Sequence, residues 1–183
     1  MRYVLSAALI AVVSMVVAQN RTPGEPEPEA VRQPMTAERL NEMLLRIDPQ
    51  TRQEGTSWQF NIRSRTLIMV VDSNADRMRI MTPVLNLADL DGSQLMRALQ
   101  ANFDSALDAR YAVANELVWA TYIHPLSPLL EGQFLSAVAQ TYTAAETFGT
   151  TYTSGAFTYG GGDSAEEQRK LLEELQKKLN PTV

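Results

Sequence analysis

A single histidine, His124, limits the chemistry open to this chain. A three-histidine metal site cannot be built, and a Ser-His-Asp triad would have to use His124 as its base. The residue stands before Pro125 at what reads as a strand end, a place that suits a structural corner. Four carboxylates, Asp89, Asp91, Asp104 and Asp108, are the other acid–base candidates. The first two fall at a helix start; the last two, at i and i+4, read as like charges on one exposed helix face, where they stay hydrated. Ser154-Gly155 lacks the pattern of a nucleophile elbow. Gly160, Gly161 and Gly162 look like a phosphate loop only superficially, because no lysine follows at the required spacing, and they read better as a hinge. With no cysteine there is no disulfide, thiolate zinc site, thiol nucleophile or acylated cysteine. No enzyme, cofactor or metal site is therefore expected, which leaves binding and structural roles.

The bulky apolar residues carry the remaining candidates. Trp58, Trp119, Tyr111 and Tyr122 stand either as a ligand-binding aromatic cluster or as filling between sheet and helices; alternate strand positions favour the core, with Trp119 read as a buried ring. Met69, Met78 and Met81 are read the same way, although a methionine exposed on a sheet suits adaptable peptide binding. Near the C-terminus, residues 163–180 (DSAEEQRKLLEELQKKLN) form an amphipathic helix, with Asp163 or Ser164 as cap, acids first and lysines last. Leu172, Leu175 and Leu179 follow a 3-then-4 spacing with Leu171 beside them, and these four are the candidate partner-binding residues. The run is too short for a convincing coiled coil. Its cover could be the domain itself, a second copy, or a partner or membrane. A membrane is the weakest of these, since the polar face is as acidic as it is basic. The Gly/Thr/Tyr-rich hinge at 150–162 makes the helix read as separable from the domain.

What positions these residues begins with an address. Residues 1–18 (MRYVLSAALIAVVSMVVA) have the basic start, apolar run and small-residue end of a signal peptide, which places the protein in the periplasm or outside the cell with no stable membrane insertion after cleavage. Residues 19–34, rich in Pro and Glu, form a solvated linker. The chain has 16 basic and 21 acidic residues and a formal net charge of −5, and losing Arg2 makes it more negative. That balance, with lysines only at 170, 177 and 178, excludes nucleic acid as the main partner.

Order begins at Met35. Thr36 caps a helix with Leu40, Met43, Leu44 and Ile47 on one face, stopped by Asp48-Pro49. Trp58, Phe60 and Ile62 alternate with polar residues in a strand; Thr66 to Val71 and Arg77 to Met81 add two more, with the Asp72–Asp76 turn between them. Asp91 and Gln94 make a capping box for a second helix whose buried stripe reads as Leu95, Ala98, Leu99 and Phe103. Tyr111 to Ala114 and Leu117 to Ile123 pair around Asn115-Glu116. Ser127 and Pro128 open a third helix lined by Phe134, Val138 and Tyr142 and ending near Gly149.

The segments DGSQLMRALQAN (91–102), RYAV and LVWATYIHPLSPL (within 110–129) and the last helix of the domain resemble the type III secretion chaperone-like fold, and within it the YbjN-like branch of sensory transduction regulator type. The resemblance spans about residues 35–148. It implies an α+β domain over 35–149 of order α-β-β-β-α-β-β-α with an antiparallel sheet, plus a separate C-terminal helix. It also implies a homodimer that binds extended segments of a protein partner without chemistry of its own. The export signal and the extra C-terminal tail depart from the secretion chaperones, so effector delivery is not implied. The expected function is an exported, non-enzymatic protein-binding or adaptor module. The alternative is a self-associating structural envelope protein assembled through its C-terminal helix. N-terminal sequencing of exported material is expected to begin at Gln19; an intact Met1 in the membrane fraction would make the leader an anchor.

Overall fold

The computed structural model describes residues 33–104, 106–149 and 164–181. The leader, nearly all of the linker, and residues 150–163, with Ser154, Gly160–Gly162 and Asp163, lie outside them. From Pro34 onward the chain forms one unit. Its elements are α1 (Ala37–Ile47), β1 (Arg52–Glu54), β2 (Ser57–Ile62), β3 (Arg65–Asp72), β4 (Arg77–Asn86), a 3-10 turn (Leu87–Asp89), α2 (Gly92–Asp104), β5 (Arg110–Ala114), β6 (Leu117–Pro125), α3 (Glu131–Glu146) and α4 (Ser164–Leu179). The strands make one sheet of order β1-β2-β3-β4-β6-β5, every neighbouring pair antiparallel. The class is α+β, in the expected order with one strand added. That strand, β1, is three exposed residues on the sheet edge, too short to show a period of two.

Local chemistry explains the elements. Thr36 Oγ1 accepts the Arg39 N–H at 3.3 Å, and Leu40, Met43, Leu44 and Ile47 are buried along α1. Asp48 then ends the helix and accepts the Asn61 N–H at 2.7 Å, tying α1 to β2. Trp58, Phe60 and Ile62 of β2, Leu67, Met69 and Val71 of β3, and Met78, Ile80 and Thr82 of β4 point to the helical side and are buried. Asn115 and Glu116 both have positive φ (51° and 60°), as the two-residue turn of a right-twisted hairpin requires.

The layer behind the sheet is built on α3. Ten of its sixteen residues are buried, all round the helix, and it packs on β4, β5 and β6 on one side and on α4 on the other. Gln140 on this helix is 5% exposed. Its Oε1 accepts the Asp108 and Ala109 N–H groups at 2.9 and 3.1 Å, which fixes the loop between α2 and β5.

Four expectations change. The inward residues of β6 are Val118, Ala120 and Tyr122, so Trp119 points to the opposite face, half-exposed, its indole N–H donating to Ala114 O at 2.9 Å. Ala120, fully buried, permits the close approach of α3 that a tryptophan would block. The buried stripe of α2 is Ala98 and Ala101, not Leu99 and Phe103, which are 53% and 74% exposed. The third helix starts at Glu131, with Gln133 Oε1 accepting the Leu130 N–H at 2.9 Å. Ser127 is no cap: its N–H and hydroxyl donate to the Asp76 carboxylate at 2.7 and 2.9 Å.

The fourth concerns the C-terminal helix. Leu171, Leu175 and Leu179 are at most 2% exposed, in the same core cluster as α1 and α3, and Leu172 is half-buried. The buried row is therefore spaced by fours. Arg63, in the β2–β3 turn, lies over the Tyr142 ring of α3 and pairs with Glu167 and with Glu174 at 3.3 Å, pinning α4 from the sheet side. Lys178 Nζ donates to Ile47 O, the last carbonyl of α1, at 3.2 Å.

Denaturant melts of point variants check this register. Trp58→Ala and Leu175→Ala each remove a buried side chain and are expected to cost about 3–5 and 2–5 kcal/mol respectively, against about 1 kcal/mol for Trp119→Ala. A Trp119→Ala loss as large as that of Trp58→Ala would contradict the assigned faces. The Asp76 tether predicts a pH dependence. The Ser127 N–H, followed by its hydroxyl, holds the Asp76 carboxyl below its ordinary 3.8. A depressed folded pKa contributes stability that is present above the unfolded value and lost as pH falls through the folded one. The stability difference between wild type and Asp76→Asn is thus expected to be full at about pH 7 and to shrink as pH falls below 3.8; a difference that does not shrink in acid would refute the tether.

Candidate functional site

The residues singled out for chemistry do not converge. His124 closes the inner row of β6. Its Nδ1 lies 2.7 Å from Pro125 O and its ring stacks on Tyr122 with centroids 6.2 Å apart, the surroundings of a structural corner. Asp91 is the cap of α2: its Oδ1 accepts the Gln94 N–H at 2.8 Å while Gln94 Oε1 accepts the Asp91 N–H at 3.0 Å. The Ser93 hydroxyl, first among its partners, holds the Asp91 carboxyl low. Asp89 accepts from Asn86 at 3.3 Å. Because α2 ends at Asp104, Asp108 sits in the following loop, and the two are not neighbours on one helix face. Among the described residues no group of three or more His, Cys, Asp or Glu is placed to hold a metal.

Two surfaces of the fold carry exposed apolar side chains in rows. The helix α2 lies beside β5, the last strand of the sheet. Asn102 Oδ1 accepts the Tyr111 N–H at 2.7 Å and its Nδ2 donates to Tyr111 O at 3.0 Å, so the side chain takes the place of a neighbouring strand at that residue. The Tyr111 hydroxyl in turn donates to Ala144 O at 2.7 Å, and its ring meets Phe148 edge-on at 5.2 Å. With its small residues inward, α2 is left with large ones outward: Met96 (57% exposed), Leu99 and Phe103 at i, i+3 and i+7 form one apolar stripe. Leu107 and Val113, on the loop and strand that follow, are also exposed. The sequence contains this stripe, but its period alone cannot tell a core face from an exposed one.

A second surface is the sheet face opposite the helices. Cross-strand pairing places Val70, Arg79 and Ile123 in one row and Ile68, Met81, Thr121 and Arg110 in the next. Trp119 and Ala112 stand beside them with Pro83. Ile123 is 52% exposed and Arg79 is exposed, while Ile68, Val70, Met81 and Trp119 are half-buried. Met69 and Met78 are core, whereas Met81 belongs to this outer face. Of the aromatic four, Trp58 and Tyr122 fill the core, Tyr111 is half-buried at the α2 end, and Trp119 is outside.

The four leucines of the C-terminal helix are not part of either surface, since α1 and α3 cover three of them. No described helix is long and apolar enough to cross a membrane.

No protein-family model matches the chain, and no curated protein matches it. Among solved structures it is similar to the crystal structure of the ExsC-ExsE complex, with 13% identity and a TM-score of 0.49, over 61% of this chain and 92% of that chain. It is also similar to the structure of the HopA1-SchA chaperone-effector complex, with 14% identity and a TM-score of 0.43, over 52% of this chain and 77% of that one.

Proposed function

We propose that this chain is an exported protein-binding adaptor, without chemistry of its own, that works as a homodimer paired through α2. The observation that carries the reading is the exposed stripe of Met96, Leu99 and Phe103 on a helix whose fully buried residues are only Ala98 and Ala101. Three large apolar side chains in line on the surface of a small domain mark a contact surface. A single helical stripe is self-complementary: two copies crossing antiparallel about Leu99 set Met96 of each near Phe103 of the other, the isologous arrangement of a two-fold dimer. Phe103 supplies an aromatic anchor of the kind that dominates binding energy. Export follows from the leader, and the YbjN-like, chaperone-like resemblance supplies the role of holding segments of other proteins. Assembly through the C-terminal helix is disfavoured, because its leucine row is already covered.

Light scattering on the mature chain tests the pairing. A dimer at micromolar concentration is expected, and Leu99→Asp or Phe103→Asp is expected to weaken it at least about 100-fold, since each removes roughly 1.5–3 kcal/mol of apolar burial and leaves a charge in the seam. Both positions are exposed in the single chain, so the variants are expected to keep the parent's circular dichroism spectrum and to melt below it only by the stabilisation that pairing gives the parent. A monomeric parent, or variants that pair as well as it does, would sink the reading.

A further inference from the structure

We infer that the outer face of the sheet docks an extended segment of a partner protein that is both acidic and apolar. The inference rests on the adaptor reading and names the partner chemistry for it. An antiparallel sheet with one solvated face ordinarily alternates apolar inward with polar outward. Here the outward positions of β3, β4 and β6 include Ile68, Val70, Met81, Trp119 and Ile123, so the central strands are apolar on both faces.

The charge on that face is opposite to that of the chain. The formal net charge is −5, yet the outward charged residues of β3, β4, β5 and β6 are Asp72, Arg77, Arg79 and Arg110. Asp72 stands directly across from Arg77 in the register, which leaves Arg79 and Arg110 in excess. Neither makes an ion pair among the described residues: Arg110 donates to the carbonyls of Leu107 and Ala109, and Arg79 is exposed beside Ile123. On the outermost strand Arg52 and Glu54 offset each other. A cationic face on an acidic protein selects carboxylates by complementarity and repels a second copy of the same face. Trp119 and Ile123 give the apolar side chains of such a segment a surface to lie on. The four strands β3, β4, β6 and β5, at about 4.8 Å apart, span roughly 14 Å, the length of about four extended residues.

The test is a titration of the full mature chain with a synthetic peptide of about eight residues alternating Glu and Leu, against the same peptide with Lys for Glu. Tryptophan emission reads the site, because the chain has two tryptophans and Trp58 is buried. The acidic peptide is expected to shift the emission, to bind more weakly as salt rises, and to lose the signal but not the binding, measured by calorimetry, in Trp119→Phe. Arg79→Glu and Ile123→Asp are expected to weaken it at least tenfold, with Arg79→Glu gaining affinity for the lysine peptide. Equal binding of the two peptides, no binding of either, or an Arg79→Glu chain unchanged toward both would overturn the inference. A chain that dimerises through α2 but ignores the acidic peptide would keep the adaptor reading and remove this one.

Discussion

The fold depends on burying α3 from all sides. A helix flanked by a sheet on one face and by helices on the other must be apolar nearly all round, and Phe134, Leu135, Ala137, Val138, Ala139 and Tyr142 meet that demand. Its consequences run outward in both directions. Toward the sheet, close approach selects Ala120 on β6 and sends Trp119 to the far face. Away from the sheet, α3 presents apolar surface that water would otherwise cover, and the leucines of α4 cover it and pack in turn on α1.

Polar contacts then fix what burial leaves adjustable. Hydrophobic packing is not directional, whereas a hydrogen bond from one named atom to another is. Gln140 reaches from the core to the loop before β5, Asn102 holds the last strand to α2, Asp76 joins the β3–β4 turn to the approach of α3, and Arg63 bridges the sheet to α4. Asn102 and Gln140 set α2 against the edge of the sheet with Ala98 and Ala101 inward. The exposed stripe on α2 is a product of that placement, while the outer face of the sheet follows from strand register. Both lie on regular elements, which makes them firmer platforms for a partner than loops would be.

Most of the elements were legible in the residues. Thr36, Asp91 with Gln94, and the Asn115-Glu116 turn are local signals, satisfied within a few residues of themselves, and each stands where the sequence puts it. The alternation in Trp58–Ile62 survives for the same reason, as side-chain direction on a strand is a backbone property. Ser127 reads as a cap on local grounds, but a carboxylate far away in sequence, Asp76, takes its N–H and hydroxyl instead. The candidate site was less visible. Leu99 and Phe103 have helical spacing in the sequence whether they face a core or solvent, and Leu171, Leu175 and Leu179 required a cover that the sequence left unnamed.

By itself, then, the sequence determined the α+β class, the order of helices and strands apart from the three-residue β1, and the turn chemistry, because these follow from residue types and short-range periodicity. Only the tertiary structure decided which face of each element is covered: Trp119 out and Val118 in, Ala98 in and Phe103 out, Leu175 against its own domain. Periodicity states that a helix or strand has an apolar side but not what meets it. Whether that side becomes core or contact surface depends on the volume left by neighbours distant in the chain.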